Sequence, residues 1–353
     1  MKSVSPRAGA LAVCLLLSAA IAHADPADDY IASQMKAFRL PGLALAVVKD
    51  GKVIKAQGYG LANVARQTPV TPDTVLKIGS VSKQFIATGI MLLARDRRLA
   101  FDDPIGKYLQ DSPASWSAIT IRHLLTHTAG LVRESPAFDP NKDQSDAVVL
   151  KGAYPVALRF LPGEKWEYSN VGYYALAETI HRVTGQAWND YLTDRIFKPA
   201  GMTTTFPTNS KQPIPNRAQG YTGNDNANAA DEWLALRPSG AFLSTVLDLA
   251  KWDALLYTDM VLTESERGQM TTAVRLNNGS PYPYGFGWHV DTVGGQRRVW
   301  HGGGLPGFSA QFVRFPDAGV TIMLLANGDD VDTSSIANGL AALHYLPRSN
   351  TGK

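Results

Sequence analysis

Apolar positions follow a helical period in some stretches of this chain and a strand period in others, and the two kinds are segregated. Residues 27–38 set Tyr30, Ile31, Met35 and Phe38 along one side, which predicts an amphipathic helix ended by Pro41-Gly42. Residues 43–49 and 52–58 are β-rich runs joined by Asp50-Gly51, the pair that most favours a tight hairpin. From Thr71 to about Val274 the helical period prevails, predicting helices over 81–95, 121–126, 171–183, 188–197 and 245–257. Thr245 and Asp248 have the spacing of a capping box for the last of these. Strand character returns over 284–290, 297–301, 309–315 and 320–326, with Pro316-Asp317-Ala318-Gly319 as a turn, and 336–345 reads as a closing helix. Residues 216–230, rich in Asn, Gly and Ala, read as a loop.

Strands at both ends around a helical middle predict an α/β (α+β) fold: a mainly antiparallel sheet built from both termini, flanked by helices, with an all-α domain inserted. On this reading residues 25–78 and 275–353 form the sheet domain, and 79–274 the helical domain, with a cleft at the seam. With 353 residues, 45% of them hydrophobic, there is ample material for a large core. Residues 1–24 stand apart, with Lys2 and Arg7 ahead of an apolar run and Ala22-His23-Ala24 at its end. That is the pattern of a signal peptide, so export to the periplasm or medium is expected, with no stable membrane span after cleavage. Cys14, the one cysteine, leaves with it, so the mature chain has neither disulfides nor thiol chemistry. The net charge of +3 falls to +1 without Lys2 and Arg7, which gives no electrostatic reason for a nucleic acid partner.

The candidate chemistry begins at Lys77-Ile78-Gly79-Ser80-Val81-Ser82-Lys83, where a short strand-like run meets a helix. Ser80 and Lys83, three apart, share a helix face, so an amine with a lowered pKa can activate the hydroxyl. A second Ser-x-x-Lys, Ser33 to Lys36, lies on the amphipathic first helix and reads as surface. Tyr168 and Asn170 lie two apart just before a helix, where both side chains can face one cleft. A tyrosine whose phenolate is stabilised by an ammonium can exchange a proton with serine, and Asn170 can orient an amide. Val299-Trp300-His301-Gly302-Gly303-Gly304 is a strand ending in glycines. There a substrate can approach the backbone, the Gly304 N–H can complete an oxyanion hole with that of Ser80, and His301 can donate to a carboxylate or carbonyl.

Taken in order, these three segments resemble the serine β-lactamase and penicillin-binding-protein superfamily. The Tyr-Ser-Asn form is similar to its class C β-lactamase branch and to the related family VIII esterases, D-aminopeptidases and D-alanyl-D-alanine carboxypeptidases. The segments Ile119 to Leu131 and Pro238 to Thr245 resemble landmarks of the same family, and the likeness runs from about Ala27 to Gly328. The resemblance implies a β-lactamase/transpeptidase-like fold and an acyl-enzyme formed at Ser80. Lys83 and Tyr168 would share the general-base role, and Asn170, His301, Gly303 and Gly304 would serve substrate and oxyanion. It implies no cofactor and no metal, and a monomer acting on a D-amino-acid amide, ester or β-lactam. His301-Gly302-Gly303 stands where class C β-lactamases carry Lys-Thr-Gly, which favours the peptidase and esterase relatives over an efficient β-lactamase.

Three other readings are weaker. His301-Gly302-Gly303-Gly304 also spells an oxyanion motif of α/β-hydrolases, but no Gly-x-Ser-x-Gly elbow occurs in the chain. His123 and His127 have zinc-ligand spacing but lack the glutamate and a third ligand, so they read as buried imidazoles pinning a loop near the cleft. A penicillin- or peptide-binding sensor with little turnover is the non-enzymatic alternative.

Overall fold

The computed structural model describes residues 25–208, 213–231, 233, 237–240, 242–329 and 331–347. The expected signal peptide at 1–24 lies outside the described residues. Helix α1 spans Pro26–Ala37, capped by the Asp25 carboxylate. Strands β1 (Gly42–Lys49), β2 (Lys52–Asn63) and β3 (Thr68–Pro69) follow. Four more come from the other end of the chain: β4 (His289–Val293), β5 (Gln296–Leu305), β6 (Phe308–Phe315) and β7 (Val320–Ala326). They form one seven-stranded sheet in the order β4-β5-β6-β7-β1-β2-β3, antiparallel at every pairing. The β1–β2 hairpin closes through Asp50 (φ +48°) and Gly51 (φ +74°), the left-handed pair its tight turn demands.

Both faces of the central strands are buried, which explains why β1 reads as a continuous apolar run. Leu43, Leu45 and Val47 join Val313, Ile322 and Leu324 beneath α1 and the closing helix α5 (Thr333–Leu340). Ala44, Ala46 and Val48 face the other way, where Ala310, Phe312 and Met323 share one continuous core with the helical part. That part is organised around α2 (Lys83–Arg95), whose residues Lys83 to Leu93 are buried on every side, against α3 (Asn170–Thr184) and α4 (Val246–Leu255).

Two expectations change in detail. A strip of three short antiparallel strands, Leu76–Lys77, Phe242–Ser244 and Phe206–Pro207, lies inside the stretch read as helical. Two- and three-residue strands carry too little periodicity to be seen in a sequence. The strand expected over 284–290 begins only at His289, because Gly287 turns the chain at φ +77° and packs under α2, where a β-carbon would stand 2.9 Å from the Lys83 carbonyl oxygen. Tyr284 and Trp288 are thereby fully buried. Among the described residues no helix is long and apolar enough to cross a membrane.

Candidate active site

Gly79–Ser82 form a tight helical turn that hands the chain to α2, with Gly79 at φ +50°. This leaves Ser80 half-buried at the mouth of the cleft and places Lys83 at the first position of α2, fully buried. The apolar run that follows draws the lysine inside. Its amine lies 2.9 Å from Asn170 Oδ1, 2.7 Å from the Ser239 carbonyl and 3.1 Å from Ser80 Oγ. Burial holds the Lys83 pKa well below the usual ammonium range, with Arg237 and Arg133 pressing the same way and Glu134 opposing. A neutral amine has two hydrogens and one lone pair. Asn170 Oδ1 and the Ser239 carbonyl can only accept from it, so they take both hydrogens and leave the lone pair to receive the Ser80 hydroxyl proton. Ser33 and Lys36, by contrast, are exposed on α1.

Tyr168 reaches the same hydroxyl. Its ring lies under the Lys83 amine, 4.7 Å from nitrogen to ring centre, with the Arg133 guanidinium 5.0 Å away. Burial raises the Tyr168 pKa, opposed by its hydrogen bond with Ser80 and by Arg133 and Arg237. The phenolate expectation is therefore corrected: Tyr168 stands as a neutral phenol beside a lysine whose pKa is depressed, so the phenol is placed to give a proton and the amine to take one. Asn170 opens α3, capped by Ser169, and its amide nitrogen donates to Glu134, which also receives Arg237. Among the described residues Glu134 Oε2 is buried without a hydrogen-bond partner.

The glycine end of β5 lies against the Ser80 turn. A β-carbon on Gly303 would stand 2.0 Å from the Ile78 carbonyl and 3.1 Å from Ser80 N, and one on Gly79 would stand 2.8 Å from Gly304 N. Only glycine at 79 and 303 allows that approach, and it brings the Gly304 N–H beside Ser80. Among the described residues β4 pairs with β5 only as far as Trp300, so the Gly302–Gly304 edge is open to an extended ligand. Ser80, Arg133, Tyr168, His301 and this edge line a cleft of about 570 Å³ that extends to the start of α5.

His301 faces the cleft floor with both ring nitrogens engaged, Nδ1 2.6 Å from the Gly302 carbonyl and Nε2 3.0 Å from the Tyr284 hydroxyl. The expected donation to substrate is corrected accordingly: no His301 N–H is left for it. His127 is buried at φ +60° and bonds Tyr284, whereas His123 closes a capping box with Thr120. The two imidazoles have separate partners, and each pins backbone. Sequence reasoning missed Glu134, Arg237, Ser239 as a lysine partner, and Tyr284. Ser239 alone carried a signal, in the Pro238 to Thr245 landmark.

With this geometry in place, the likenesses fall into line. The Beta-lactamase family model matches residues 27–346. The chain is 30% identical to penicillin-binding protein 4* of Bacillus subtilis (strain 168) over 327 residues, covering 86% of this chain and 72% of that one. It is 28% identical to a D-aminopeptidase of Cereibacter sphaeroides (strain KD131 / KCTC 12085), covering 92% of this chain and 64% of that one. This chain thus spans about two thirds of the length of these curated relatives. Among solved structures it is similar to D-amino acid amidase from Ochrobactrum anthropi SV3 complexed with L-phenylalanine, with a TM-score of 0.73 and 26% identity over 86% of this chain and 90% of that one. A match spanning nearly the whole described chain, on a sheet and helical core of the same architecture, places this protein in the Beta-lactamase family.

Proposed function

We propose that this chain is an exported serine hydrolase that forms an acyl-enzyme at Ser80 and cleaves the amide of a small amino-bearing substrate, a D-amino-acid amide or short peptide. The observation that carries the reading is Lys83: buried, depressed in pKa, and bonded so that its lone pair meets the Ser80 hydroxyl. Lys83 takes the Ser80 proton as Oγ attacks the carbonyl carbon, and the Ser80 and Gly304 N–H groups receive the developing oxyanion. Tyr168 gives its proton to the departing nitrogen as the C–N bond breaks, and the Lys83 ammonium restores the phenol. Water then attacks the ester, its proton passing through Tyr168 back to Ser80 Oγ. The family and the named amidase and aminopeptidase support amide chemistry.

Among the described residues Glu134 Oε2 is buried without a hydrogen-bond partner, one side chain from Lys83 through Asn170, and a substrate ammonium that reached it would satisfy it. An efficient β-lactamase is disfavoured, because the strand position that would hold a cation for a carboxylate holds a neutral imidazole with no free donor. The test is a panel on purified mature protein: D- and L-phenylalanine amide, D-alanyl peptides, p-nitrophenyl butyrate and nitrocefin. The D-amide should give the highest kcat/KM, and a preference for nitrocefin would refute the reading. Mass of the exported product tests cleavage after Ala24.

A further inference from the structure

Behind the reactive groups a row of hydrogen bonds crosses the cleft floor and joins its two walls. At one end the Ser169 N–H, which can only donate, lies 3.2 Å from His127 Nδ1. That nitrogen is therefore a lone pair, and the neutral ring carries its hydrogen on Nε2, 3.1 Å from the Tyr284 hydroxyl. At the other end the Gly302 carbonyl, which can only accept, lies 2.6 Å from His301 Nδ1, so the hydrogen is there and Nε2 takes the Tyr284 O–H at 3.0 Å. The hydroxyl of Tyr173, which donates to the Leu125 carbonyl at 3.1 Å, also stands beside that of Tyr284. Were Tyr284 to donate there instead, His301 Nε2 would have to carry a hydrogen as well, and the imidazolium would be buried close to His289 and Lys83, which disfavour it.

We propose that Tyr284 is a positioning residue of this site: its hydroxyl holds His127 and His301 as neutral imidazoles of opposite tautomer, and so fixes the glycine edge against the Tyr168 segment. His127 brackets Tyr168 on both sides, accepting the Glu167 N–H on its carbonyl at 3.0 Å and the Ser169 N–H on its ring. Its ring also packs 4.3 Å from that of Tyr168. It does so in a left-handed backbone conformation, φ +60°, that a bulky residue adopts only where its surroundings impose it. His301 holds the start of the Gly302–Gly304 edge. Removing one oxygen between them loosens the proton donor and the oxyanion donor together.

This rests on the acyl-enzyme reading of the site, but its first test needs no turnover. Long-range proton–nitrogen spectra of the full chain labelled in histidine, assigned by single histidine substitutions, should show at neutral pH His127 protonated on Nε2 only and His301 on Nδ1 only. His301 protonated on Nε2, or on both nitrogens, overturns the proposal whether or not Ser80 is acylated. In Tyr284→Phe these two signals should shift, and kcat on D-phenylalanine amide should fall by about tenfold or more with KM within about twofold, as expected for lost positioning. Unmoved histidine signals or an unchanged kcat refute it. Should Tyr284→Phe not fold, the wild-type spectrum decides alone.

Discussion

Three consecutive glycines at the end of β5 make separable predictions, because each would place a β-carbon in a different environment. On Gly303 it would meet the Ile78 carbonyl oxygen at 2.0 Å, which is 1.4 Å short of the 3.4 Å where ordinary contact begins. None of the three has a positive φ, so alanine is sterically strained only by its neighbours. In Gly303→Ala the strand must retreat from the Ser80 turn by about 1 Å, and a shift of that size at reacting groups costs about 100-fold in rate. Overpacking should also cost about 1–3 kcal/mol of stability. On Gly304 the β-carbon meets nothing within 4 Å, so Gly304→Ala keeps its N–H in place and should lose under about tenfold in kcat. Gly302→Ala, 3.2 Å from Gln311 Oε1, should fall between them. The assay is single-turnover acylation by p-nitrophenyl butyrate beside thermal melting. Gly303→Ala acylating within threefold of wild type, or Gly304→Ala as damaged as Gly303→Ala, would refute the account of the oxyanion edge.

Other outcomes follow from the same site. Lys83→Ala and Tyr168→Phe should each lower kcat by about 1000-fold or more, since the two act as a unit, and steady-state kinetics would show it. The pH profile of kcat/KM should rise from the acid side through the depressed Lys83 pKa as the amine loses its proton, and stay level to about pH 9 because burial keeps Tyr168 protonated; a limb near pH 10 for lysine would contradict the assignment. Glu134→Gln should raise KM for D-phenylalanine amide by about tenfold and leave the butyrate ester little changed, because only the amide carries an ammonium. Ser80→Ala should abolish hydrolysis while changing stability by under about 1 kcal/mol, as its side chain is half exposed.

Much of this was legible in the chain. Asp50-Gly51 marked the hairpin, and the strand runs at both ends marked one sheet because burial on both faces leaves long unbroken apolar stretches. The two Ser-x-x-Lys pairs were separable by their company, since Ser33 and Lys36 sit alone on an amphipathic helix while Ser80 and Lys83 are followed by the Tyr168 and His301 segments. That the helix Lys83 begins is buried all round, carrying the amine inside, shows only in the structure. What stayed hidden depends on distance along the chain. Tyr284 meets His127 across 157 residues and Arg237 meets Glu134 across 103, and no local spacing encodes such meetings. Nor does a spelled motif fix protonation: His301 reads as a donor in sequence and becomes spent once Gly302 and Tyr284 close around it.

The central claim is that a neutral, buried Lys83 makes Ser80 the nucleophile. Timed labelling with a fluorophosphonate, mapped by mass spectrometry in wild type and Lys83→Ala at neutral pH, tests it most directly. The predicted result is a single adduct on Ser80 that forms rapidly in wild type and at least about 1000-fold more slowly in the variant. An adduct on another residue, or a variant labelled at the wild-type rate, would contradict it.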